Sequence, residues 1–205
     1  MFSPGQADGL AGWVARTPAG PACLRGLDSS TAQALGGASD VFPESDHSMD
    51  APSRPTRGVL VVGMGDEDRG DGGVGRHVVR LLAALDWPGS VVFCQADKTV
   101  VEKAERFSRV ILVDAIDGPE CPGSLYRADP EELLSRSVGG EGSGLGLLTM
   151  MPPTVRRRLA IFGIQPGNTD WGSSLSLEVV ASLPLLVPFL RAYILESAAA
   201  LMHVN

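Results

Sequence analysis

The run Val59-Leu60-Val61-Val62 passes directly into a segment, Gly63 to Gly75, in which six of thirteen residues are glycine. Apolar residues then recur at Val74, Val78, Leu81, Leu82 and Leu85. A continuous apolar run suits a strand covered on both faces, and the 3-4 spacing that follows predicts an amphipathic helix. The helix is expected to stop near Asp86-Trp87-Pro88, where the proline disfavours helical backbone in the residue before it. The unit is strand, glycine loop, helix. Such a unit commits the chain to a layered sheet in which the loop lies at a strand's carboxyl end.

The same alternation continues downstream. Strands are predicted at 90–95 and 110–113, with a short helix at 100–107 between them. A fourth strand is expected at 124–127, a helix at 130–136, a fifth strand at 159–164 and a long terminal helix from about Leu177. This order predicts an α/β fold: a twisted, mainly parallel sheet of about five strands between helices. Ligands of such sheets collect beyond the carboxyl ends of the strands, where successive crossovers leave to opposite faces.

Upstream of Gly58 the texture differs. Residues 1–57 are rich in Gly, Pro, Ser and Ala without a period and contain pairs such as Thr17-Pro18 and Phe42-Pro43. Too little apolar surface is available there to offset ordering entropy, so 1–57 reads as a low-complexity, mostly disordered extension and 58–205 as one domain. Local pieces such as Leu10 to Val14 retain the capacity to dock. The formal charge of −7, from 17 basic and 24 acidic residues, argues against nucleic acid or an anionic membrane as partner. The one basic cluster, Arg156-Arg157-Arg158, is narrower than phosphate tracking needs. Cys23, Cys94 and Cys121 are scattered and odd in number, which favours neither a disulfide framework nor zinc and points to the cytoplasm. The run Val179 to Leu190, with Pro184 and Pro188, is shorter than a span of about 20 residues and reads as buried helix. No secretory signal pattern is present at the N-terminus.

The glycine loop is a poor phosphate cradle. In a G-x-G-x-x-G pattern starting at Gly63 the third glycine falls on Asp68, and Asp66, Glu67, Asp68 and Asp71 surround a single arginine, Arg69. Those anions would repel a pyrophosphate. Strand three leads into Asp114-Ala115-Ile116-Asp117, so both outlets present carboxylates. Carboxylates that oppose one another across a cleft call for protons, water or a bridging cation. The plainer readings are a carboxylate capping a turn for Asp114, and an Asp-Gly-Gly turn opening a helix for Asp71. Spacing does not choose between them. His77 reads as packed or half-exposed on its helix, and His47 and His203 as surface residues. Cys94 reads as a buried strand residue and Cys121 as a loop thiol.

Three segments together resemble the nickel-iron hydrogenase maturation endopeptidases. The first is Gly63-Met64-Gly65 with Asp71-Gly72-Gly73-Val74-Gly75, similar to the family's G-x-G-N-x-x-x-x-D-(D/E)-G-x-G. The second is Val113-Asp114-Ala115-Ile116, similar to its V-D-A segment. The third is Phe162-Gly163-Ile164-Gln165-Pro166 followed by Leu175-Ser176-Leu177-Glu178-Val179 and a proline-containing helix. The resemblance implies a three-layer sandwich of the phosphorylase/peptidyl-hydrolase-like kind. It also implies an endopeptidase that removes the C-terminal extension of a hydrogenase large-subunit precursor after nickel insertion. The nickel is supplied by the substrate, and no tightly bound cofactor of the enzyme's own is implied.

In the family an acid in the first loop, the aspartate after the third strand and a histidine in a later loop serve metal recognition or cleavage. Carried over by position, Asp114 matches the strand-three aspartate as metal ligand or catalytic group. Asp71 matches the aspartate preceding the first-loop acid and is drafted as a second ligand. The acid itself falls on Gly72, Asp66 replaces the usual asparagine, and the histidine position falls on Ser143. Glycine offers no ligand, and a hydroxyl is a weaker nickel donor than imidazole. These departures carry a second expectation: a catalytically impaired relative that acts as a binding or assembly module for a hydrogenase subunit. Both expectations require Asp71 and Asp114 to share an acidic cleft.

Overall fold

A computed structural model describes residues 56–136 and 143–202. Strand β1 (Thr56–Gly63) opens the fold, so the last two residues of the expected extension already belong to the sheet. The rest of that extension, with His47 and Cys23, lies outside the described residues, as does His203. A 3-10 turn at Glu67–Gly73 and helix α1 (Val74–Ala83) follow β1. Then come β2 (Val91–Gln95), α2 (Val100–Glu105) and β3 (Phe107–Ala115). Strand β4 (Leu125–Ala128) and α3 (Pro130–Arg136) are next. The chain closes with α4 (Ser143–Met150), α5 (Pro153–Arg156), β5 (Leu159–Ile164) and α6 (Leu177–Met202).

The five strands form one sheet in the order β2-β1-β3-β5-β4, parallel except for the antiparallel edge strand β4. This is the mainly parallel α/β sandwich that the alternation of elements predicts. Parallel strands buried on both sides need apolar residues at every position, and Val59 to Val62, Val110 to Val113 and Leu159 to Ile164 supply them. Side chains alternate between two cores. Val59, Val61, Ile111 and Val113 face α1 and α6. Leu60, Val62, Val110 and Leu112 face the opposite layer, with Val100 of α2, Leu148 of α4 and Val155 of α5. Crossovers from β1 and β2 thus leave to opposite faces, which makes the carboxyl ends of β1 and β3 the switch point of the sheet.

That end of the sheet is tightly joined. Met64 N–H donates to Val113 O at 2.8 Å and Arg76 N–H to Met64 O at 3.1 Å. Gly75 sits in the crossing: a Cβ there would lie 2.2 Å from Val113 O and 2.8 Å from Met64 O, both backbone atoms. Gly75→Ala is expected to cost about 1–3 kcal/mol, because neither carbonyl can retreat without loosening β1 from β3. A urea melt unchanged within error would show that the crossing is slack.

Helix α6 begins at Leu177, where the sequence reading places a long terminal helix, and extends well beyond the apolar run 179–190. Its 26 residues are long and apolar enough, by length and composition, to cross a membrane. Here Val179, Leu183, Leu186, Leu190, Ile194 and Ala198 form a buried stripe that packs with the sheet residues Val61 and Phe162. Pro184 and Pro188 lie within it on the exposed side, where the carbonyls left without an N–H partner can bond water.

Candidate functional site

The loop after β1 is built on its own polar groups. Asp66 caps the 3-10 turn by accepting from Asp68 N–H at 3.0 Å, and Glu67 pairs with Arg80 of α1. The turn breaks at Arg69 and Gly70. At Gly70, φ is 51°, and a Cβ would fall 2.2 Å from Ser173 Oγ, so the glycine lets this loop lie against the segment after β5. Asp71 follows and makes that contact permanent.

Asp71 is fully buried. One carboxylate oxygen accepts from Gly167 N–H at 2.7 Å and Asn168 N–H at 2.9 Å, and the other from Ser176 N–H at 2.7 Å. Its own N–H donates to Asn168 O at 2.9 Å. Ser176 in turn begins α6, its hydroxyl accepting from Val179 N–H at 3.4 Å. Both oxygens of Asp71 are therefore committed to holding the β1 loop, the β5 loop and the head of α6 in one piece. The turn-forming reading of Asp71 describes this geometry, extended by partners far along the chain.

Asp114 takes no part in these hydrogen bonds. It is the penultimate residue of β3, paired in register with Gly163, and it shares the strand face of Val110 and Leu112. Asp71 bonds to the segment leading into α6, which lies on the other face. Both oxygens of Asp71 are taken by backbone N–H groups, so of the two carboxylates expected to share a cleft Asp114 is the less committed. Asp114 is partly buried, and among the described residues its carboxylate accepts from Ala115 N–H at 2.8 Å. Burial pushes its pKa up to about 6, partly offset by that N–H. A carboxyl poised near neutrality at a strand end can take up or release a proton under ordinary conditions.

Among the described residues no three His, Cys, Asp or Glu side chains converge as a metal site. Gly72 is partly exposed and carries no ligand, and Ser143 opens α4, a helix on the same side of the sheet as Asp114. His77 is half-buried, its pKa lowered by burial and by Arg80. Burial pushes the Cys94 thiol up to about 11, which leaves it a packing residue rather than a nucleophile. Two of the three clustered arginines have structural partners. Arg156 pairs with Glu131 at 2.9 Å, and Arg158 caps the end of α2 through Glu105 O at 2.9 Å.

One polar hub escaped the sequence reading. Gln165 is buried beyond the end of β5, where Oε1 accepts from Gly118 N–H and Tyr126 O–H, each at 2.7 Å. Its Nε2 donates to Asp117 Oδ1 at 3.0 Å. The Tyr126 oxygen also accepts from Glu120 N–H at 3.1 Å. The loop that follows Asp114 is therefore pinned to β4 and β5. A glutamine between a buried strand and a proline was the available signal. Tyr126→Phe is expected to cost about 1–2 kcal/mol, since it leaves two partners short of a bond; thermal unfolding at an unchanged midpoint would count against the hub.

No protein-family model matches the chain, and no curated protein sequence matches it. Solved structures do. The chain is similar to a [NiFe] hydrogenase maturation protease from Thermococcus kodakarensis, with 23% identity, a TM-score of 0.53 and coverage of 67% of this chain and 92% of that one. It is similar to the hydrogenase maturating endopeptidase of E. coli, with 20% identity, a TM-score of 0.57 and coverage of 68% and 93%. A hydrogenase 2 maturation peptidase from a Thaumarchaeota archaeon aligns at 24% identity and a TM-score of 0.50, covering 67% and 97%. The chain has the fold of the hydrogenase maturation proteases, across nearly their whole length.

Proposed function

We propose that this protein is an endopeptidase that removes the C-terminal extension of a nickel-iron hydrogenase large-subunit precursor after nickel insertion. The observation that carries the reading is Asp114: a partly buried carboxyl with its pKa near 6, at the switch point of a sheet shared with maturation proteases. Its family counterpart is the strand-three aspartate. In this reading the nickel belongs to the substrate. Asp114 then acts either as a carboxylate toward that ion or as the base that accepts a proton from the attacking water. Asp71 serves by holding the loops that frame the cleft. The proposed setting is the cytoplasm, where Cys94 and Cys121 remain thiols.

Co-expression with a large-subunit precursor tests this: intact-mass measurement should show nickel-dependent shortening only when the protein is present. The second reading, an assembly module that binds the precursor without trimming it, is favoured by the commitment of Asp71 and by the missing acid at Gly72. A Cβ at Gly72 would meet Arg69 Cβ at 3.2 Å, so a side chain needs a shift of only a few tenths of an ångström. Under the second reading Gly72→Glu with Ser143→His should restore trimming to a chain that binds but does not cut. Binding without cutting in both forms would leave only the assembly role.

A further inference from the structure

A groove among the described residues is lined by none of the residues around Asp114. It lies on the α6 face, between the edge strand β4 and the second half of α6, toward the amino ends of the parallel strands. Its volume is about 680 Å³, and Leu125, Phe162, Phe189 and Tyr193 form much of its wall. Two guanidiniums border it. Arg109 Nη2 donates to Tyr193 Oη at 2.5 Å, and the guanidinium carbons of Arg109 and Arg127 stand 6.0 and 5.4 Å from the Tyr193 ring centre. Among the described residues neither guanidinium is paired with a carboxylate. Glu196 also lines the groove, which leaves it with a net positive charge. An apolar slot with unpaired guanidiniums fits an occupant that is both apolar and acidic.

We infer that this groove takes the segment Asp40 to Asp50 of the same chain. Strand β1 begins at Thr56, paired with Phe107, immediately before Ser108 and Arg109 of the groove wall. The first described residue therefore stands beside the groove wall. Asp40 to Asp50 contains Asp40, Glu44, Asp46 and Asp50, no lysine or arginine, and the apolar Val41, Phe42 and Met49. Thirteen residues lie between Phe42 and Thr56, fourteen steps along the chain and a reach of up to about 46 Å when extended, ample for Phe42 to enter. Tethering also replaces a bimolecular encounter with a high local concentration. Phe42 supplies the apolar anchor and the carboxylates meet Arg109 and Arg127.

The test uses the full chain with the photo-crosslinking residue p-benzoylphenylalanine in place of Phe42. Irradiation should join position 42 to peptides containing Leu125 to Arg127 or Phe189 to Leu201 within one chain. The yield should fall about tenfold in an Arg109→Glu, Arg127→Glu variant. It should fall similarly in Asp40→Asn, Glu44→Gln, Asp46→Asn, Asp50→Asn, which leaves the folded domain untouched and so guards against a misfolded double variant. Mixing isotopically light and heavy chains identifies the source. Crosslinks between chains mean that a second copy fills the groove and overturn the inference. So do crosslinks elsewhere, no crosslink, insensitivity to both charge changes, or stoichiometric binding of anilinonaphthalene sulfonate at the groove of the full chain.

Discussion

Asp71→Asn is expected to destabilise the protein by about 3–5 kcal/mol, in the absence of any metal or partner. The carboxylate accepts three backbone N–H bonds from Gly167, Asn168 and Ser176, and it does so out of contact with water. Bonds to a buried charged acceptor are the strong ones. An asparagine keeps the shape but turns an NH2 group toward at least one of those donors, so a donor faces a donor and a backbone N–H is left dry. For a domain of this size the loss corresponds to a fall in melting temperature of roughly 10–20 °C. The site at stake is the join between the β1 loop, the β5 loop and the head of α6. Amide exchange at Asn168 and Ser176 should accelerate more than exchange within β3 if the break is local. A loss below about 1 kcal/mol would mean that other contacts hold those loops and would return Asp71 to the list of available ligands.

The fate of Asp71 also shows what the chain discloses locally and what it does not. The runs Val59-Val62 and Leu159-Ile164 are apolar at every position, and a doubly covered strand needs nothing else to be recognised. Helix α1 declares itself by spacing alone. Helix α4 escaped prediction because Gly144 and Gly146 dilute its helical signal, and its stability comes from packing Leu148 into the second core. Asp71 read as a turn residue is correct as far as neighbours go, but its three donors stand 96, 97 and 105 positions later. No local pattern reaches that far. Parity places residue 114 on the strand face of 110 and 112, while Leu175 of the loop before α6 packs against the other core. Both outlets lie at the end of the sheet where the alternation of strands and helices puts them.

Asp114→Asn is expected to have an effect opposite in kind to Asp71→Asn, because Asp114 accepts one backbone N–H among the described residues where Asp71 accepts three. If Asp114 carries the chemistry, the variant should process a large-subunit precursor about 10²- to 10⁴-fold more slowly, the usual range for losing a positioned proton acceptor. Stability should not fall with it. Burial raises the folded carboxyl to about 6, above the unfolded value of about 3.9. Between those values the folded state holds a proton that the unfolded chain has released. The stabilising contribution is therefore fully present below the unfolded value and lost as pH rises through the folded one. Asparagine does not titrate, so the variant should match the parent near pH 4 and exceed it at pH 8, by up to about 3 kcal/mol. Processing by the parent should rise through pH about 6 to a plateau, because the working form is the ionised one. Equal processing by parent and variant would remove Asp114 from the chemistry. A variant that is slow and also unstable to the same extent at both pH values would instead show that Asp114 holds the strand end together, and the assembly reading would then stand without a catalytic carboxyl.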